Sequence, residues 1–361
     1  MAQHEQLLRW FLGFQAFVQS REEFRPLAGA VTAPPDTVMH PEAFRLIHVR
    51  GAVHTIYSPQ SEDMAVRAVD AYIREAFGVT NPIANVPAQA LAHVAEMQDQ
   101  GYSILPNLDS AKLAAMADHF RSRPVYEQSS NASGPALSLT EAESKLNIGH
   151  FGEQDVVNCP HLLELATDPF HLGIAQQFLG TVPQVITCAA WWSFAQADQA
   201  RDAQLFHLDL DDYRFFKLFF YLTDVDEEAG PHVYVPTTHR ADTLIRARQA
   251  ASSPEAFDGW LGTLRKSDED VKAAFGIEPV HLTGKAGTSF IACTRGIHKG
   301  LLPKSRNRLI CQIAYGITPQ RVSENLPVTL SPETTPNLPA GLLEPPLDYV
   351  LNLYLRPPPQ A

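Results

Sequence analysis

The spacing of apolar positions changes along this chain from a helical period to a strand-like one, with the change falling near Val182. Leu7, Phe11, Phe14 and Val18 recur at helical spacing and predict an amphipathic helix packed on the domain. A second helix is predicted to start near Ser61, to carry Val66, Val69, Ile73 and Phe77 on one face, and to stop at Gly78, which tolerates a left-handed cap. With the Pro-containing connections Ala33-Pro34-Pro35 and Asn81-Pro82, residues 1–87 read as an N-terminal helical extension. A helix bearing Leu91, Val94 and Met97 then runs into a short strand at 101–106 and a helix over 109–120. Beyond Val182 the pattern is one of short β-rich runs, at 185–192, 215–222, 232–235, 288–293 and 309–315. Short strands separated by turn signals predict a mainly β domain of jelly-roll type with flanking helices over residues 88–320. A helical insert at about 242–275 interrupts it, and a Pro-rich tail, 321–361, is expected to pack on the core as irregular chain.

Composition narrows the function classes. The chain has 361 residues, 45% of them apolar and 19% charged, so one elaborated globular domain with an extension fits the length. A formal charge of -12 and the lack of any Lys/Arg-rich run disfavour nucleic acid, whose binding rests largely on neutralised phosphates. Cys159, Cys188, Cys293 and Cys311 are far apart and form no CxxC pair; they read as buried thiols in a reducing compartment, and a cytoplasmic location is expected. The apolar N-terminal stretch is not read as a signal peptide, since His4, Glu5 and Arg9 flank or interrupt it and no small-residue cleavage site follows. No other segment approaches membrane-spanning length. Both a monomer and a homodimer are compatible with the sequence.

Candidate chemistry is concentrated in Phe206-His207-Leu208-Asp209-Leu210-Asp211-Asp212-Tyr213-Arg214 and the β-rich run that follows. In an extended segment residues two apart point to one side, so His207 and Asp209 can present an imidazole and a carboxylate to one point. Two His and one carboxylate on one face form the ligand set of non-haem Fe(II) sites that activate O2. His298, between two β-rich runs, is the best candidate for the third ligand, and Arg308 follows it by ten residues. An Fe(II) oxygenase using 2-oxoglutarate needs a cation for the distal carboxylate, and an arginine fork meets a carboxylate with two parallel hydrogen bonds.

From about Leu91 to Ile317 the chain resembles the phytanoyl-CoA dioxygenase family of Fe(II)/2-oxoglutarate oxygenases. Gln98-Asp99-Gln100-Gly101-Tyr102-Ser103-Ile104-Leu105-Pro106-Asn107-Leu108 looks like its opening strand. Tyr221-Leu222-Thr223-Asp224-Val225 followed by Gly230-Pro231-His232-Val233-Tyr234-Val235-Pro236-Thr237-Thr238-His239 is similar to its signature, and His298 with Arg308 closes the pattern. Thr237-Thr238 stand where the family has Gly-Ser, and Gly287-Thr288 where it has Gly-Asp. The resemblance implies a double-stranded β-helix (jelly-roll, cupin-like), with Fe(II) on His207, Asp209 and His298 and 2-oxoglutarate and O2 as cosubstrates. It further implies a small-molecule substrate, hydroxylated as 2-oxoglutarate and O2 become succinate and CO2. Asp209 favours hydroxylation over halogenation, because halogenating relatives replace that carboxylate. A peptide or protein hydroxylase and a catalytically inactive binding protein of the same fold are the alternatives.

Other polar residues admit two readings. Lys217 either packs its stem and sends its ammonium to solvent, or points inward and pairs with a carboxylate of cosubstrate or substrate. One of Trp191 and Trp192 faces the core and the other can wall the pocket. His232 and His239 belong to the signature turn, with a structural or ligand-orienting role favoured over metal ligation. His150 and Glu153 read as a loop at the pocket mouth, and Arg306 is the runner-up to Arg308.

Overall fold

The computed structural model describes residues 2–28, 55–128, 134–195, 199–319, 328–329, 341, 346–352 and 355–356. Nine of its strands form two antiparallel sheets. The strands are β1 (Tyr102–Leu105), β2 (Ile148–His150), β3 (Gln184–Ser193), β4 (Phe215–Tyr221), β5 (His232–Tyr234), β6 (Val280–Leu282), β7 (Ser289–Ala292), β8 (His298–Gly300) and β9 (Arg308–Gly316). The larger sheet has the order β1-β7-β4-β9-β3-β2 and the smaller β6-β5-β8. Phe219, Tyr221, Phe290 and Ile310 of the large sheet meet Tyr234 and Leu282 of the small one, with Val225 from the connection after β4, in a shared core. This is the jelly-roll layout expected from the short-strand pattern.

β4 shows why the sequence builds this sheet. Its alternate residues Lys217, Phe219 and Tyr221 face the small sheet, while Phe216, Leu218 and Phe220 pack under the helical layer, so both faces are covered and the strand is almost continuously apolar. Register against β9 places Phe219 opposite Gln312 and Tyr221 opposite Ile310; β9 in turn sets Ile310 opposite Trp191 and Arg308 opposite Ser193 on β3. Arg308, Ile310 and Gln312 therefore form one inward row.

The helices are α1 (Ala2–Ser20), α2 (Pro59–Phe77), α3 (Ala88–Gln100), α4 (Ser110–Arg121), α5 (Leu139–Lys145), α6 (Glu153–Val157), α7 (Leu162–Thr167) and α8 (Pro169–Leu179). They are followed by α9 (Ala241–Ala250), α10 (Pro254–Leu261), α11 (Asp268–Phe275) and α12 (Leu347–Asn352). In α1, Phe11, Phe14 and Val18 are buried, as the periodicity predicts. Among the described residues no helix is long and apolar enough to cross a membrane. α2 begins at Pro59 behind Ser58, whose hydroxyl accepts from the Ser61 N–H, and ends at Gly78 with φ 64°. Its stripe is shorter than predicted: Val66, Val69 and Ile73 are buried, but Phe77 in the last turn is 45% exposed. α9 to α11 make up the helical insert. Ala33-Pro34-Pro35 and most of the tail lie outside the described residues, although Tyr349, Val350 and Leu351 join the main core alongside Trp10, Val69 and Phe216.

One local expectation is corrected. Residues 148–150 are a strand paired with β3, not a loop, because His150 sits opposite Trp191 at the sheet edge; Glu153 opens α6. The His207-to-Asp209 segment is extended but joins the small sheet only by an isolated bridge from His207 to His298, with the Asp209 N–H donating to the Thr294 carbonyl at 2.9 Å.

One buried ion cluster ties α2 to this segment. Glu62 accepts from Arg214 Nε and from Arg295 Nη2, each at 2.5 Å, with all three side chains mostly buried. Burial pushes the Glu62 carboxyl up, but the two guanidinium groups outweigh it and hold it below its ordinary value of 4.5. Its stabilisation is thus present above pH 4.5 and lost as pH falls through the lowered folded value. Glu62→Leu leaves two buried cations short of their shared partner, and urea unfolding should report a loss of about 3–5 kcal/mol. A loss below about 1 kcal/mol would mean that solvent compensates these guanidinium groups.

Candidate metal centre

His207, Asp209 and His298 each offer one ligand atom, and these atoms lie within 4.8 Å of one another. The bridge from His207 to His298 closes the cluster, with N–H to O distances of 2.9 Å in both directions. His207 Nδ1–H donates to the Leu205 carbonyl and His298 Nδ1–H to the Gly296 carbonyl, each at 2.9 Å. Each ring's Nε2 lone pair is thereby left for the side where Asp209 stands, with Nε2-to-carboxylate distances of 3.9 Å from His207 and 3.5 Å from His298. Burial lowers the proton affinity of both rings, His298 to about 3, so both are neutral near neutral pH. Two neutral imidazole nitrogens and a carboxylate on one face, open on the other, fit a divalent transition metal.

Lys217 points inward rather than to solvent. Its ammonium contacts Asp209 at 2.7 Å and Asp211 at 3.0 Å, so its partners in this structure are the protein's own carboxylates. Burial works against both charged forms, but the mutual attraction is stronger, keeping Lys217 protonated and Asp209 well below the usual carboxylate range.

His207, Asp209, Lys217 and His298 line a cavity of about 310 Å³ between the sheets. Arg308 also lines it, 2% exposed. Its Nη1 donates to the Gly230 carbonyl and its Nη2 to Ser193 Oγ at 3.0 Å, while Nε has no partner. No carboxylate among the described residues pairs with it, and burial lowers its proton affinity. Arg306, by contrast, is at the surface and paired with Asp226.

The Trp pair is resolved: Trp191 lines the cavity, and Trp192 is buried in the main core, stacked on Phe194. His232 also lines the cavity, its ring stacked on His298 at 5.3 Å between centroids and its Nε2 unpartnered, but it is not one of the three clustered donors. His239 lies elsewhere, its Nε2–H donating to the Gln98 carbonyl. His150 lines the cavity from β2. Gln204, Arg265 and Gln312 also line it and were not anticipated; no motif marks them, since only chain closure brings the 202–204 turn and the α10–α11 connection over the sheet.

No protein-family profile matches the chain, and no curated protein matches it in sequence. Among solved structures it is similar to the non-haem α-ketoglutarate-dependent epimerase SnoN from nogalamycin biosynthesis, at 17% identity over 63% of this chain and 83% of that one, with a TM-score of 0.41. HygX from Streptomyces hygroscopicus, solved with nickel and 2-oxoglutarate, aligns at 13% identity over 64% and 87%, TM-score 0.41. EctD from S. alaskensis, solved with 2-oxoglutarate and 5-hydroxyectoine, aligns at 15% over 66% and 78%, TM-score 0.43.

Proposed function

We propose that this protein is an Fe(II)- and 2-oxoglutarate-dependent dioxygenase that hydroxylates an unactivated C–H bond of a small organic molecule. The observation that carries this reading is the pairing of a His-Asp-His cluster with a buried, carboxylate-free Arg308 in one cavity. A buried guanidinium without a counter-charge is costly unless a ligand supplies one. A dicarboxylate that reaches from a metal to Arg308 satisfies both ends.

In this reading His207, Asp209 and His298 hold the iron. Bound iron supplies the redox chemistry by which substrate, 2-oxoglutarate and O2 become hydroxylated product, succinate and CO2. The carbonyl groups of Leu205 and Gly296 fix the two imidazole tautomers and ring directions. Lys217 and Asp211 hold the Asp209 carboxylate in place, and Lys217 reaches the cosubstrate only by releasing one of these partners. Arg308, set by Ser193 and Gly230, receives the distal carboxylate. Trp191, Phe219 and Ile310 exclude water between the two ends.

Anaerobic addition of Fe(II) to the metal-free protein with 2-oxoglutarate is expected to produce a visible metal-to-ligand charge-transfer band. Folded protein that binds neither component, and so gives no band, would overturn the proposal in favour of a non-catalytic binding protein. A subtler test uses Gly300, where an added Cβ would stand 2.8 Å from Arg308 Nη2. Gly300→Ala should displace the guanidinium and weaken 2-oxoglutarate by about 10–100-fold, with metal affinity retained. Calorimetric titration measures both, and unchanged cosubstrate affinity would detach Arg308 from that role.

A further inference from the structure

We infer that the molecule oxidised in this pocket carries an anionic group, a carboxylate in its simplest form, received by Arg265 at the cavity mouth. The inference rests on the proposed use of iron and 2-oxoglutarate and goes on to the class of substrate. Three cationic side chains line the cavity, Lys217, Arg265 and Arg308, against one carboxylate, Asp209. Lys217 is committed to Asp209 and Asp211. Arg308 is committed to the cosubstrate, whose two carboxylates balance the charge of a divalent metal. Arg265 is left over: its Nη1 donates only to the neighbouring Leu264 carbonyl at 2.9 Å, and among the described residues it makes no ion pair.

The position of Arg265 is built rather than incidental. The next residue, Lys266, is 3% exposed, its N–H donates to the Phe206 carbonyl at 2.8 Å, and its Nζ donates to the Thr263 carbonyl. Phe206 precedes His207, so the connection between α10 and α11 is fastened beside the metal cluster. The uncharged lining favours an acceptor-rich ligand too. Gln204 Oε1 is taken by Arg201 N–H and Asn147 Nδ2, both at 3.0 Å, with the Nε2 amide left as an unpartnered buried donor. Among the described residues that line the cavity the one carboxylate, Asp209, is already paired with Lys217, which disfavours an amine there. Leu264, 82% exposed beside Arg265, gives the rim an apolar surface for the rest of the molecule.

The test uses protein loaded with Zn(II) and the unreactive cosubstrate analogue N-oxalylglycine, titrated with octanoate, octanamide and octylamine and followed by ligand-observed NMR. These probes share an apolar body and differ in charge. Wild type should bind octanoate about fivefold or more tightly than octanamide, with the preference falling at higher salt. Arg265→Gln should remove the preference, and Arg265→Glu should turn it toward octylamine. Failure of the analogue to bind the zinc-loaded protein would overturn the cosubstrate reading and this inference together. Analogue binding without a preference for octanoate, or a preference that survives Arg265→Glu, would overturn this inference alone.

Discussion

His298→Ala is expected to abolish turnover and to weaken metal binding by more than about 100-fold. Loss of a group that merely orients a ligand already costs about 10–100-fold, and here a proposed ligand itself is removed. His298 is 5% exposed, its ring lies 4.2 Å from that of His207, and its backbone forms the bridge that sets His207 in place. The substitution keeps the backbone bridge and deletes only the imidazole, so the remaining His207 and Asp209 keep their positions but make a two-donor site. His232, though stacked on His298, lies outside the set of clustered donors and should not rescue it. Competition between the protein and a chromophoric chelator for Zn(II) measures the loss. Wild-type affinity in folded His298→Ala protein would remove His298 from the ligand set.

Arg308→Leu should separate cosubstrate binding from metal binding, and it should do so without the stability loss expected of Glu62→Leu. Removing one member of a buried charge pair costs about 2–5 kcal/mol of binding, so 2-oxoglutarate affinity should fall by roughly 30-fold to several thousand-fold while Zn(II) affinity stays near wild type. In the ligand-free protein the Arg308 charge is buried with no counter-charge, and its hydrogen bonds to Gly230 and Ser193 only partly offset that cost. Leucine fills similar apolar space without a charge, and unfolding stability should hold within about 1 kcal/mol or rise. Calorimetry with 2-oxoglutarate, run beside urea unfolding, gives both quantities. Unchanged cosubstrate affinity would free Arg308 from its proposed role, and a large stability loss would show that the guanidinium serves the fold instead.

These two predictions draw on different kinds of information. The His207–Asp209 spacing and the two-residue alternation of β4 are properties of an extended backbone with period two, and the sequence alone determined them, though not which face of β4 turns inward. The Gly78 stop of α2, the helices over 241–275 and the short strands of the jelly roll are likewise local, set by a few neighbouring residues each. Lys217 could be placed on a strand but not assigned its carboxylates, because whether its face meets Asp209 depends on how the two sheets pack. His150 lay beside a Gly-containing stretch that suggested a loop, and pairing with Trp191 made it a strand. Gln204, Arg265 and the choice of Trp191 over Trp192 were decided only by the tertiary structure. Local periodicity fixes which residues share a face, whereas which faces meet follows from contacts between residues distant in sequence, whose complementarity leaves no short-range pattern to read.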